Sequence, residues 1–158
     1  MPIPPSPILP NMKAFYLYPA TCYFEATPVS LGRGTSLPFQ VYGHPNMTGY
    51  DYSFTPKSVP GAKNPPQLNK LCHGVNLSNM SDEEIWKRGV DLSYVIDAYK
   101  NLNIGDHFFR PFFELLVGTD YVRKMIIEGK SAEESKSRLK GDVEKFKEQR
   151  KPYLLYQE

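Results

Sequence analysis

The chain has few of the residues on which several common classes of protein depend. Its 158 residues include two cysteines, Cys22 and Cys72, too few for a disulfide scaffold, and three histidines. Neither residue type occurs at a metal-ligand spacing, so we predict no metal site and no other cofactor. Both cysteines have apolar neighbours, which favours buried free thiols over a disulfide.

Long apolar runs and dense charge of one sign are missing as well. No run approaches the ~20 apolar residues that a membrane span needs, and the first residues lack the charged and apolar regions of a signal peptide. The formal net charge is +2, with basic residues spread through the last third of the chain. We therefore expect no membrane span and no nucleic-acid partner, which would require a concentrated basic face.

Proline, by contrast, is abundant and unevenly placed. Ten of the 15 prolines lie before residue 57, which predicts an irregular first part and a helical last part. We expect residues 1–10 to form a proline-rich linker and residues 11–158 to form a single α+β domain. Because the start resembles a linker, we expect the chain to be the C-terminal part of a longer two-domain protein.

Short elements are predicted in the first half. Asn11 can cap a helix over residues 12–17, which closes before Pro19. Residues 49–56 and 71–78 each alternate with period two, which predicts two strands. An antiparallel pairing of these strands is the simplest arrangement.

The second half has clearer helix signals. Ser81 and Ser131 each begin a Ser-x-x-Glu capping box. The first predicts a helix whose apolar stripe continues to Asn101, and the second predicts a long, charged surface helix. The apolar residues in 150–156 are expected to dock on the domain. Together these elements predict an α+β fold: a small antiparallel sheet with long irregular N-terminal loops, packed by C-terminal helices.

A polar segment over residues 18–39 carries the most informative side chains. Gly32 and Gly34 flank Arg33 and can take positive φ on either side of it, which would present the guanidinium to a carboxylate or a sugar hydroxyl. Glu25 lies in the same segment and could instead pair with Arg33 and close the loop. Such pairs are common and often worth only ~0–1 kcal/mol when exposed, so the residues alone leave both possibilities open.

Glu25 is a candidate for acid–base chemistry on a glycosidic bond, which usually requires two carboxyl groups flanking that bond. No argument from the sequence places any of the possible second carboxylates beside Glu25; these are Asp51, Asp106, Glu114 and Asp120. Cys72 and His73 are neighbours on a predicted strand and should point to opposite faces, so a thiolate–imidazole pair is poorly supported.

Several motifs in a fixed order carry a resemblance to a known family. The longest is Tyr18-Pro-x-Thr-Cys followed by Glu25-x-Thr-x-x-Ser30-x-Gly-Arg-Gly-Thr35-x-x-Pro-Phe39. The others are Phe54-Thr-Pro56, Leu71-Cys-His-Gly74, Gly118-Thr-Asp120 and Arg150-x-Pro-Tyr-Leu-Leu-Tyr156. With these motifs the chain resembles the C-terminal part of the bacterial exo-β-N-acetylmuramidase family of glycoside hydrolases over nearly its whole length.

The resemblance implies a function and a site. Members of the family remove N-acetylmuramic acid from the non-reducing end of peptidoglycan fragments, and a Rossmann-like domain precedes the part seen here. It implies a peptidoglycan-derived saccharide as ligand, a location in the cell envelope (periplasmic or secreted), and a cleft between the two parts. One wall of that cleft would carry the catalytic Glu25 and the substrate-binding residues Ser30, Arg33, Gly34, Thr35 and His73.

Arg33 would suit the lactyl carboxylate that distinguishes muramic acid from glucosamine. Since the first domain is not among these residues, the chain alone is not expected to hold a complete active site. Two alternatives stay open. A non-catalytic module that binds cell-wall saccharide or packs against a partner domain would be favoured by a large exposed apolar patch. An enzyme that uses Cys72 and His73 would be favoured by a reactive thiol.

Overall fold

The computed structural model describes residues 6–156. In this part of the chain, helices and long loops surround a small antiparallel sheet, which confirms the predicted α+β class. The strands are β1 (Val41–His44), β2 (Tyr52–Phe54) and β3 (Cys72–Asn76). The helices are α1 (Met12–Thr21), α2 (Asp82–Arg88), α3 (Ser93–Leu102), α4 (Phe113–Val117), α5 (Tyr121–Ile127) and α6 (Ala132–Arg150).

The strand β3 lies at the centre of the sheet, between β1 and β2. Its antiparallel pairing with β2 confirms the predicted pairing, and β1 adds a third strand that the pattern did not indicate. Gly43 of β1 lies opposite Gly74 of β3. A Cβ at Gly74 would collide with the carbonyl oxygen of Tyr42 and lie 2.6 Å from the Gly43 Cα, so this close pairing of backbones requires glycine.

The strand β2 is shorter than the predicted 49–56. The residues before it are held to α3 instead of continuing the ladder. Tyr50 donates its hydroxyl hydrogen to the Asp97 carboxylate at 2.7 Å, and Asn101 exchanges two hydrogen bonds with the Thr48 backbone at 2.9 and 3.1 Å. These side-chain anchors replace strand pairing, and alternation alone does not reveal them.

Helix α1 begins as predicted and ends later. The Asn11 side chain accepts a hydrogen bond from the Ala14 amide at 2.8 Å, which confirms the cap. The predicted end before Pro19 is wrong, because α1 continues to Thr21. Pro19 lies on the exposed side and loses one helical hydrogen bond, while Thr21 is fully buried and donates its hydroxyl to the Leu17 carbonyl at 2.9 Å. Burial of the inner face outweighs the missing bond.

The predicted helix from Ser81 to Asn101 is two helices, α2 and α3. Gly89 ends the first with φ of 60°, a conformation that favours glycine. The Asp91 carboxylate then accepts a hydrogen bond from the Ser93 amide at 2.8 Å, where α3 begins. The apolar stripe continues across the break, so periodicity alone could not separate the two helices.

Helix α6 is a surface helix, as predicted. Its capping box is complete: the Glu134 amide donates to the Ser131 hydroxyl at 3.1 Å, and the Ser131 amide donates to the Glu134 carboxylate at 2.8 Å. The prediction that the apolar tail docks is wrong for the described residues, because the side chains from Tyr153 to Tyr156 are exposed. In α6, Ser135 is buried and Leu139 packs against the main core, whereas the described residues after Arg150 are exposed.

The main core lies between α1, the 3₁₀ turn Cys22–Ala26, β1, α3 and α5. Aromatic rings fill much of it: Phe24 stacks on Tyr42 with ring centroids 4.8 Å apart, and Phe109 meets Phe113 at 4.6 Å. A second cluster covers the other face of the sheet and consists of Val41, Phe54 and Cys72.

The predicted linker is described only in its second half. Residues 1–5, like Gln157 and Glu158 at the other end, lie outside the described residues. The Leu9 amide donates to the Ser6 carbonyl at 2.9 Å, and Ile8 and Leu9 pack against the main core. The domain boundaries stay predictions.

Candidate functional site

Glu25 and Arg33 form the centre of the candidate site. The 3₁₀ turn Cys22–Ala26 directly follows α1 and positions Glu25, and the loop after it brings back Arg33. An Arg33 terminal nitrogen lies 3.5 Å from a Glu25 carboxylate oxygen, and the two side chains are 32% and 26% exposed. Charge-assisted hydrogen bonds are usually ~2.7–2.9 Å long. The ion pair is therefore present but loose, and it occupies one terminal nitrogen of the guanidinium.

The loop around Arg33 is braced by glycine backbone. Gly32 and Gly34 have φ of 79° and 85°, which confirms the predicted positive φ on both sides of the arginine. A Cβ at Gly32 would lie 2.5 Å from the Leu37 carbonyl oxygen. A Cβ at Gly34 would collide with the Lys57 carbonyl oxygen. The Lys57 amide also donates to the Gly34 carbonyl at 2.8 Å. Neighbouring backbone thus fixes both flanks of Arg33.

Ser30 and Thr35 hold the same loop from inside. Ser30 is fully buried and exchanges two backbone hydrogen bonds with Gly43 at 2.8 and 2.9 Å. The Thr35 hydroxyl donates to the Gly32 carbonyl at 2.7 Å and accepts from the Leu37 amide at 3.0 Å. Both residues therefore tie the loop to β1 and to itself, and so position Arg33.

His73 lies on a different element from the ion pair, the strand β3. It is half-buried on β3, with His44 opposite it on β1 and Ser53 opposite it on β2. Burial and the charge of Lys70 lower the pKa of His44. In the described part of the chain no hydrogen bond or ion pair joins His73 to Glu25 or Arg33. The structure thus brings the loop residues together around the pair, and no direct bond within the described residues links His73 to it.

Two residues outside the predicted site set belong electrostatically to it, Tyr18 and Cys22. Burial raises the pKa of Tyr18, with the Glu25 and Cys22 charges next in effect and Arg33 opposing them. Burial, followed by the Glu25 charge, raises the pKa of Cys22 to about 11. We call Tyr18, Cys22, Glu25 and Arg33 the Glu25 cluster. The spacing of its first three residues, i, i+4 and i+7, is the signal that could have revealed it.

Within residues 6–156, no hydrogen bond or ion pair joins Glu25 to the other candidate carboxylates; they are Asp51, Asp106, Glu114 and Asp120. Glu114 is paired with Arg123 at 2.6 Å, and Asp120 with Lys124 at 3.3 Å. Among the described residues, Glu25 is thus the candidate carboxylate that pairs with Arg33, and the second carboxylate is not assigned.

Both cysteines are free thiols, as predicted, with Cys72 fully buried and Cys22 half-buried. Cys72 packs in the second cluster while the next residue, His73, occupies the opposite face of β3, which confirms that they do not form a dyad. Within the described residues, histidines, cysteines and carboxylates form no group of three that could hold a metal ion. None of the helices described is long and apolar enough to cross a bilayer.

The fold and the site define a small α+β domain that presents a carboxylate–guanidinium pair on a braced loop. The family model described as the C-terminal part of the exo-β-N-acetylmuramidase NamZ matches residues 16–156. The chain is also 32% identical, over 167 residues, to the peptidoglycan β-N-acetylmuramidase NamZ of Bacillus subtilis strain 168. That match covers 96% of this chain and 40% of the B. subtilis protein. The chain belongs to the NamZ exo-β-N-acetylmuramidase family, a family of bacterial glycoside hydrolases, and corresponds to its C-terminal part.

Two solved structures are similar to the domain. A DUF1343 family protein of Bacteroides fragilis NCTC 9343 superposes with a TM-score of 0.97 at 81% sequence identity, and the match covers 99% of this chain and 44% of that one. A second DUF1343 family protein of the same strain superposes with a TM-score of 0.62 at 19% sequence identity, and the match covers 98% of this chain and 45% of that one. At this identity the likeness supports the fold alone. The chain spans less than half the length of each relative that it matches.

Proposed function

We propose that this chain is the C-terminal domain of a peptidoglycan exo-β-N-acetylmuramidase and forms one wall of its substrate cleft. The reaction would be hydrolysis of the bond that follows a non-reducing terminal N-acetylmuramic acid. The observation that carries the proposal is the loose Glu25–Arg33 pair on a glycine-braced loop. Membership of the family supports the reaction class.

Glu25 and Arg33 would have different roles in the site. Glu25 would act as the catalytic carboxylate, exchanging a proton at the glycosidic oxygen or with water. Arg33 would bind the lactyl carboxylate of muramic acid with the part of its guanidinium fork that Glu25 does not occupy. Ser30, Gly34 and Thr35 would act by holding Arg33 in place. His73 would contact the saccharide away from the pair, on the half-buried face of β3.

The second reacting group would come from outside this chain. Glycosidases usually use two carboxyl groups, and in the described residues no hydrogen bond or ion pair links a second carboxylate to the Glu25–Arg33 pair. The chain also spans only 40% of the B. subtilis relative. We therefore propose that an upstream, Rossmann-like domain of the longer protein supplies the opposite wall. A peptidoglycan substrate would place the protein in the cell envelope.

Arg33 provides the test of the ligand. The full-length context can be made by replacing the matching 44% of the B. fragilis relative with this chain, which is 81% identical to it. In this chimera, Arg33→Ala should weaken N-acetylmuramic acid binding by roughly 10- to 100-fold, because a charged hydrogen bond contributes ~1.5–3 kcal/mol. N-acetylglucosamine, which has no lactyl carboxylate, should lose little affinity. Titration calorimetry with both sugars measures the difference.

Two control variants separate binding from catalysis. Arg33→Lys keeps the charge and loses the fork, so it should retain part of the preference for muramic acid. Glu25→Gln should abolish hydrolysis while the preference persists. Equal losses for both sugars in Arg33→Ala would refute the assignment of Arg33.

A further inference from the structure

An apolar groove of about 270 Å³ lies between α1 and α2, next to the Glu25 cluster. Its walls are formed by side chains from one face of each helix and from the turn after α2: Phe15, Tyr16, Tyr18, Ile85, Trp86 and Val90. Tyr18 belongs both to the groove and to the Glu25 cluster. Tyr18 therefore links the groove electrostatically to the candidate site.

The groove exposes large apolar side chains. Trp86, the only tryptophan of the chain, is 67% exposed, Val90 is 49% exposed and Phe15 is 47% exposed. The indole rests against the Tyr16 ring, with centroids 5.2 Å apart, so the wall is packed in place. Adjoining exposed aromatic side chains mark interaction surfaces, and tryptophan and tyrosine often dominate their binding energy.

The relatives are more than twice as long as the part that this chain matches, so the remaining part of the longer polypeptide is a candidate to cover the groove. More than half of each relative lies outside the part that this chain matches, because the match covers 40% of the B. subtilis protein and 44% of the B. fragilis chain. We propose that the α1–α2 groove is the docking surface for the remaining part of the longer polypeptide, which inserts apolar side chains over Trp86. This inference rests on the two-domain arrangement proposed above and names the surface that joins the two parts.

The chemistry of the groove favours a protein surface over a saccharide. A sugar ring can stack its C–H face on an aromatic side chain, but its hydroxyl groups also need polar partners, and burying them without such partners is unfavourable. Hydrocarbon and ring atoms form almost the whole wall of the groove. A domain seated on Trp86 would also lie near Tyr18, the residue of the Glu25 cluster that lines the groove.

Cysteine labelling tests the proposal without an activity readout. Trp86→Cys and Val90→Cys are made in the 158-residue chain and in the chimera with the B. fragilis relative, and a hydrophilic maleimide is added. Lys140→Cys, at an exposed position of α6, is the matched control. The unsubstituted proteins give the background from Cys22 and Cys72, and circular dichroism verifies that each variant is folded.

In the chimera, labelling at positions 86 and 90 should be at least about 10-fold slower than in the chain alone, because the centre of a packed interface excludes solvent. Labelling at position 140 should not change. Equal rates at 86 and 90 in both contexts would overturn the proposal. Protection of the isolated chain that grows with its concentration would assign the groove to a second copy, and protection by N-acetylmuramic acid would assign it to the saccharide; either result overturns the proposal too.

The outcomes also separate this inference from the proposed function. A chimera that protects the groove but hydrolyses no muramide would retain the docking surface and reject the enzyme assignment. An active chimera in which the groove is labelled freely would retain the enzyme assignment and reject the docking surface.

Discussion

Replacing Gly34 by alanine tests whether neighbouring backbone holds the Arg33 loop in place. Gly34 has φ of 85°, and a Cβ there would collide with the Lys57 carbonyl oxygen and lie 2.7 Å from a Pro65 ring carbon. An L-residue in the left-handed region costs ~1–2 kcal/mol, and forced overpacking costs a further ~1–3 kcal/mol. We expect Gly34→Ala to lower the free energy of unfolding by ~2–5 kcal/mol.

Substitutions at two other glycines separate the conformational cost of a positive φ from the cost of the steric collision. Gly49 has φ of 80° with nothing within 4 Å of its missing Cβ, so Gly49→Ala carries only the conformational cost of ~1–2 kcal/mol. Gly141 lies in α6 with open space around it and no positive φ, so Gly141→Ala should stabilise the domain by ~0.5–1 kcal/mol.

Urea unfolding followed by circular dichroism gives the three values. With slopes of ~1–3 kcal/mol per M, a loss of 3 kcal/mol lowers the midpoint by ~1–3 M. The predicted order of stability is Gly141→Ala above the unsubstituted chain, then Gly49→Ala, then Gly34→Ala. If Gly34→Ala were no less stable than Gly49→Ala, the Lys57 backbone would not brace the loop, and the argument for a preorganised Arg33 would fail.

The remaining predictions concern the two thiols. Burial raises the pKa of both Cys22 and Cys72 to about 11, above the ordinary 9.0. Because alkylation requires the thiolate, both should react with iodoacetamide at pH 8 about 100-fold more slowly in the folded chain than in urea. The half-buried Cys22 should react faster as the pH approaches 11, whereas Cys72 should stay protected until the chain unfolds. The protonated thiols contribute fully to the free energy of unfolding below pH 9, and this contribution is lost as the pH rises toward 11. Fast labelling of folded Cys72 at pH 8 would contradict the prediction of a protonated, buried thiol. It would favour the alternative of an enzyme that uses Cys72 and His73.

The features predicted correctly from the sequence depend on neighbouring residues alone. The Asn11 cap, the capping box at Ser131 and the positive φ at Gly32 and Gly34 each follow from the local steric and hydrogen-bonding properties of a few residues. Such signals hold in any fold that contains the segment.

The features that were missed depend on contacts between distant segments. Helix α1 continues past Pro19 because its inner face is buried, and β2 starts late because Asp97, 47 residues further on, binds Tyr50. The placement of His73 opposite His44 likewise follows from the pairing of β3 with β1. No local pattern carries that information.

The most direct test of the account is release of N-acetylmuramic acid from a chromogenic muramide by the 158-residue chain alone and by the chimera. We expect no release by the chain alone, release by the chimera, and loss of that release in Glu25→Gln, because we propose that the second reacting group lies in the other part of the longer protein. Release by the isolated chain would contradict the shared cleft, since the complete acid–base pair would then lie within these residues.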